Sequence, residues 1–211
     1  MDDHPVRITI DDDLRRSRLT VFFRLLLVIP HVVWLYLWGF AVQVAVIVGW
    51  IAALVLGRLP RPLHRFSAAY VSYASQVHAY LLLIANPFPG FVGAAYPLQI
   101  VIDPPAHQNR LVTLFRIVLA VPAFLIAGVL GYLLYLISFL GWFAALATGR
   151  MPPGFRDAGA AAIRYTAQTY AYTLLLTSQY PHSSPALPAR PEPEPEREPF
   201  LPPTPEPGAA A

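Results

Sequence analysis

Two stretches of the chain are apolar for 39 residues almost without a break. From Leu19 to Gly57 the one formal charge is Arg24, and from Leu111 to Gly149 it is Arg116. Each run exceeds the ~20 residues a helix needs to cross a bilayer. A single helix of that length would measure ~58 Å, against ~30 Å of hydrocarbon. Each run is therefore predicted to form a hairpin of two helices, turning at a central glycine, Gly39 or Gly131, where the backbone is permissive. Trp34 and Trp38, and Tyr132 and Tyr135, crowd those midpoints as an interfacial aromatic belt would. Pro30 and Pro122 then fall inside the first helix of each hairpin, as kinks whose freed carbonyls neighbouring helices satisfy.

The same text is written twice. A shift of 92 residues aligns Pro5–Pro89 with Pro97–Pro181 without a gap, and 28 of the 85 positions are identical. The matches fall where substitution is costly: Pro30 on Pro122, Gly39 on Gly131, Gly49-Trp50 on Gly141-Trp142, and Gly57-Arg58 on Gly149-Arg150. A tandem duplication is the direct reading. Each unit opens on an alternating segment, PVRITID (5–11) or PLQIVID (97–103), whose period of two predicts a short strand. An isolated strand is unstable, so the two copies are expected to pair with each other. Each unit closes on a less apolar helix, 66–85 and 158–177. Tyr73, Gln76, His78 and Tyr80, and Arg164 in the second copy, make a full crossing costly there. An amphipathic helix lying in the interface is the expected arrangement.

These elements assemble into a mainly α, integral membrane fold of two parallel tandem repeats with about four crossings. Residues 1–89 form the first repeat, with a strand at 5–11, a hairpin at 19–57 and an interfacial helix at 66–85. Residues 90–181 form the second, with a strand at 97–103, a hairpin at 111–149 and an interfacial helix at 158–177. Residues 182–211 form a tail. Arg15, Arg16 and Arg18 precede the first hairpin, and Arg58, Arg61 and Arg65 follow it. The positive-inside rule then puts both ends in the cytoplasm. Six crossings, with the closing helices spanning, is the alternative.

Composition agrees and adds two points. Charged residues make up 13% of the chain and mean hydropathy is +0.49, where a soluble domain carries roughly 25% charge. Up to Pro181 there are 13 arginines against seven aspartates; beyond it, two arginines against five glutamates. A pI near 9.3 thus hides a basic body and an acidic tail. Nucleic-acid binding is excluded as a reading, because the arginines flank apolar runs and form no stripe on a soluble face. Lysine is absent, which fits a GC-rich bacterial genome. The first residues lack the layout of a cleavable signal peptide, so the first run is expected to stay as an anchor. The tail's proline density blocks helix and sheet, and predicts disorder with PxxP-type docking peptides or a plain spacer.

Candidate chemistry is sparse. Without cysteine there is no thiolate nucleophile or thiolate metal site. The six histidines show no metal spacing, and no hydrolase, P-loop or dinucleotide fingerprint occurs. Asp11-Asp12-Asp13 reads as capping before the first helix, with Arg15 and Arg16 as local partners; a divalent-cation site is the alternative. Arg24 and Arg116 lie six residues into their runs. Each either snorkels to headgroups, or joins Arg58 and Arg150 in clasping an anionic lipid headgroup or solute. Tyr73/Gln76/Tyr80 and Tyr165/Gln168/Tyr172 share one helix face each. The repeat markers Pro30, Gly39, Trp50, Pro122, Gly131 and Trp142 read as structural.

The segments PVRI-x-I, FRLLLVIPH, GWIAALVLGRLP and the closing Tyr-rich helix ending in N-P-F-P resemble the bacterial membrane domain-of-unknown-function family 4389. The resemblance is present as two copies over about residues 5–181. It implies a membrane location and two spans per copy, and implies no activity. Ala123 stands where the first copy has His31, which speaks against a functional role for that histidine. The expectation is a non-enzymatic protein of the bacterial cytoplasmic membrane, multi-pass, with both termini inside and no cofactor. It would act as a scaffold or accessory component binding lipid, or a protein partner through the tail; a homo-oligomer fits the pattern. The alternative is a transporter or channel for small solutes or ions built from two repeats.

Overall fold

The computed structural model describes residues 4–10, 12, 14–90, 96–104 and 107–182. The tail predicted for 182–211 lies, from residue 183 on, outside the described residues. Six elements follow in order: β1 (Val6–Ile10), α1 (Arg18–Leu56), α2 (Arg61–Leu81), β2 (Leu98–Ile102), α3 (Arg110–Thr148) and α4 (Pro153–Thr173).

The predicted hairpins do not form. α1 and α3 are each one unbroken helix of 39 residues, and four crossings are lost with the hairpins. The buried side chains explain why. In α1 they are Val21, Arg24, Val28, His31, Val42, Gly49 and Ala53. In α3 they are Thr113, Arg116, Ala120, Ala123, Leu134, Ser138, Gly141 and Ala145. They are spaced by threes, fours and sevens, with one step of eleven in each helix, from His31 to Val42 and from Ala123 to Leu134, all close to whole helical turns. One stripe keeps its phase from end to end, so each helix can pack as a single rod. Gly39 stays helical at a cost of about 1 kcal/mol relative to Ala, and the Tyr70 hydroxyl comes within 3.0 Å of where its Cβ would stand. The helices end instead at Gly57 and Gly149, both at φ 71°, a left-handed cap that glycine adopts without a Cβ penalty.

After each cap the chain turns and a shorter helix returns alongside. α2 packs on α1, with Tyr73 Oη 2.6 Å from His31 Nδ1, and α4 packs on α3. The observed starts, Arg61 and Pro153, are five residues ahead of the predicted ones, because proline at the first helical turn needs no N–H partner.

The two units are joined reciprocally. Trp50 Nε1 donates to the Thr113 carbonyl at 2.9 Å, and the equivalent Trp142 Nε1 to the Val21 carbonyl at 3.2 Å. Arg18 reaches the Ala147 carbonyl and Arg110 the Val55 carbonyl, both at 3.0 Å. Equivalent long helices therefore run antiparallel; they are not parallel neighbours. The strands do pair as expected, antiparallel and in the register Val6↔Ile102, Ile8↔Ile100, Ile10↔Leu98. That register is symmetric about Ile8↔Ile100, so an approximate twofold passes through the ribbon. The helices close a ring in the order α1, α2, α4, α3, and the ribbon covers α2 and α4.

Polarity is inverted relative to a soluble bundle. Of 41 exposed large hydrophobic residues among the described residues, 36 lie on α1 and α3, so these two helices form the apolar exterior. The most apolar 18-residue window of each averages a hydropathy of 2.4 or 2.5, and 17% of it is buried. Arg24, His31, Arg116, Arg164, Gln168 and Thr169 are meanwhile inside.

Candidate functional site

Arg24 and Arg116 are 2% and 1% exposed, and the fold gives each the same task. A helix leaves its last carbonyls unpaired and its C-terminus partially negative. Arg24 lies over the Tyr80 ring at 4.3 Å and donates Nη2 to the Ala85 and Asn86 carbonyls just past α2. Arg116 lies over Tyr172 at 4.5 Å and donates Nη1 to the carbonyls of Tyr172 and Thr177 at the end of α4. Each guanidinium combines a ring stack with carbonyl bonds, and each long helix thereby locks the end of the shorter helix beside it.

The predicted clasp of Arg24, Arg58, Arg116 and Arg150 is not assembled. Antiparallel α1 and α3 place Arg24 and Arg116 at opposite ends of the bundle, where neither snorkels to the surface. Arg150 joins Arg24's end, its backbone bridged to Arg15. Arg58 joins Arg116's end, where the preceding Gly57 carbonyl accepts from Gln108 N at 2.8 Å. Arg58 and Arg150 are themselves exposed. Each end therefore carries its own exposed basic group: Arg15, Arg18 and Arg150 at one, Arg58, Arg61 and Arg110 at the other.

A second latch escaped the sequence reading. Arg16 donates to the carbonyls of Leu83 and Ile84 at 3.0–3.3 Å, and the equivalent Gln108 donates Nε2 to the Leu175 carbonyl at 2.7 Å. An arginine and a glutamine share no charge, so their equivalence is visible only through the 92-residue shift. Leu83 and Leu175, at φ 64° and 65°, hold the left-handed turn that presents these carbonyls.

Asp12 behaves as a local partner, its carboxylate 2.6 Å from Arg16 Nη2 in a buried ion pair. The residue capping α1 is Ser17, not an aspartate, and it makes no side-chain cap bond; Asp11 and Asp13 lie outside the described residues. Among the described residues no group of three His, Asp or Glu is placed to hold a metal. Gln168 accepts from His182 N at 3.0 Å and donates to the Val6 carbonyl at 3.4 Å, so its face serves packing. Tyr96 is buried beside Arg24, and burial pushes its phenol well above the usual range, with the nearby cation opposing.

One cavity is distinct from these latches. It measures about 190 Å³ and lies between α2, α3 and α4, against Tyr70, His78, Gly131, Leu134 and Tyr170.

No curated protein and no solved structure matches the chain. A family model does, twice, over residues 18–92 and 110–184. Each match begins at the start of a long helix and runs past the shorter helix that returns beside it; both strands fall outside. The repeated long-helix/short-helix unit is thus the family's own domain, and the chain belongs, as a tandem pair, to the family described as Domain of unknown function (DUF4389).

Proposed function

We propose that this is an integral membrane protein of the bacterial cytoplasmic membrane, acting as a non-enzymatic scaffold or accessory component that binds lipid. One observation carries the reading: the apolar residues face outward on α1 and α3, while arginine, histidine and glutamine are buried. A soluble monomer rarely exposes an apolar patch beyond roughly 300–600 Å². Each large side chain left in water forgoes about 1.5–3 kcal/mol. A bilayer removes that cost.

Charge placement favours an orientation. Both ends of the bundle bear exposed arginines, so the positive-inside rule assigns both to one membrane face. The approximate twofold then lies along the membrane normal, and both repeats face the same way. A 39-residue helix, ~58 Å long, would also need a tilt beyond the usual 0–40° to cross ~30 Å of hydrocarbon end to end. The exposed arginines are placed to meet anionic headgroups, each contributing ~1 kcal/mol near the surface.

The transporter reading draws support from the central cavity. Its largely apolar lining and the absence of any acidic residue in α1 or α3 weigh toward the scaffold, since ion coupling relies on intramembrane carboxylates.

Alkaline carbonate extraction of membranes tests the proposal. The protein is expected to stay in the pellet and, after detergent extraction, to retain anionic lipid. Release into the carbonate supernatant would refute membrane embedding.

A further inference from the structure

The two repeats are not equivalent in the middle, and a cavity lies where they differ. In the first repeat Trp38 fills the space between α1 and α2. Its ring lies 6.0 Å from Phe66 and 5.8 Å from both Tyr70 and Tyr73. Tyr70 closes the space over Gly39, its hydroxyl within 3.0 Å of a built Cβ. The equivalents of Trp38, Phe66 and Tyr70 in the second repeat are Leu130, Ala158 and Ala162. Three aromatic rings have become small or aliphatic, and nothing lies within 4 Å of a Cβ built on Gly131. With no ring over Gly131, that glycine lines a cavity of about 190 Å³ whose far wall, across from α3, includes Tyr70 of α2.

Its chemistry selects a guest. Three polar groups along the wall are bonded to their own helices: Ser75 Oγ to the Val71 carbonyl at 2.8 Å, Thr166 Oγ1 to the Ala162 carbonyl at 2.9 Å, and His78 Nδ1 against the Ala74 carbonyl at 2.7 Å. The space is faced mostly by aliphatic carbon and tyrosine. Water needs two to four polar partners to be held, and apolar cavities of ~150 Å³ stay dry and accept benzene-sized hydrocarbon. Tyr135 and Tyr170, 55% and 47% exposed, stand at the mouth, beside the outward apolar surface of α3.

We infer that this cavity is a binding site for hydrocarbon, specifically the terminal part of a lipid acyl chain entering from the surrounding bilayer past Tyr135 and Tyr170. In the first repeat the Tyr70 hydroxyl covers Gly39, the equivalent of Gly131. The inference rests on the membrane-embedded reading above.

The test uses the full-length protein in vesicles of phosphatidylcholine and phosphatidylglycerol, with a phosphatidylcholine carrying a diazirine near the acyl terminus. After photolysis, labelled peptides are mapped. Label is expected to concentrate on 127–135 and 163–170 above the level on the outward residues of α1. Transplanting the first repeat's plug, Leu130→Trp with Ala162→Tyr, is expected to cut that label roughly tenfold, the scale on which a small steric change discriminates in an apolar pocket. Ala127→Leu, also borrowed from the first repeat, gives a milder fill should the double variant fail to fold. The converse pair, Trp38→Leu with Tyr70→Ala, is expected to bring new label to 35–43. Even labelling of α1 and α3, or label unchanged by filling, overturns the cavity site while leaving membrane embedding intact. Release of the protein by carbonate overturns both.

Discussion

Among the described residues neither of the buried cations Arg24 and Arg116 has a carboxylate partner, and helix ends stabilise both. Arg24→Lys keeps the charge but loses the planar stack on Tyr80 and the forked donation to Ala85 and Asn86. It is expected to cost about 2 kcal/mol, the range for hydrogen bonds to charged groups, read as a lowered unfolding temperature in detergent. His64 carries a pH dependence. Burial lowers its pKa from the usual 6.5, outweighing backbone hydrogen bonds to Leu176 and Asp103 that act the other way. The unfolded chain therefore binds the proton more readily. Stability is complete above about pH 6.5 and falls as the pH drops below that value toward the folded-state pKa. The unfolding temperature should decline between pH 7 and 5, and His64→Gln should flatten that part of the profile.

At the level of elements, the glycine caps and the paired tryptophans set where the long helices stop and meet. Gly149 sits at φ 71°, and Gly149→Ala is expected to cost about 1–2 kcal/mol, the penalty for a Cβ in the left-handed region. Trp50→Phe removes the bond to the Thr113 carbonyl while keeping most of the ring. About 1 kcal/mol should be lost in chemical unfolding. A similar loss for Trp142→Phe would match the symmetric bond it makes to Val21. The strands and the shorter helices were legible in the sequence, the strands from their period of two and their duplication, the helices from residues within a turn or two; the capping expected of the aspartates was not observed, since Ser17 stands at the α1 N-cap. The long helices were misread for the opposite reason. A central Gly with flanking aromatics marks a turn by local rules, but here Tyr70 and Trp38 come from packing between α1 and α2.

For the whole molecule, membrane orientation is the open prediction. The chain has no cysteine, so single cysteines can be introduced without background. Arg18→Cys and Arg58→Cys sit at opposite ends of α1 and are expected to react with a membrane-impermeant thiol reagent from the same side. Labelling from opposite sides would mean that α1 crosses the bilayer end to end and that the twofold does not lie along the normal.

The sequence by itself determined the duplication, the family, the apolar character of the two long runs and the pairing of the strands. Each is written in residue identity at fixed spacing, which survives without coordinates. The tertiary structure alone decided that each run is one helix, that equivalent helices are antiparallel, and that Arg24 and Arg116 turn inward onto helix ends. It alone decided, too, that Gly131 is left uncovered beside a cavity while the equivalent Gly39 lies under Tyr70. These depend on which faces meet between segments far apart in the chain, and a hydrophobic run that is apolar on every side carries no signal of which face that will be.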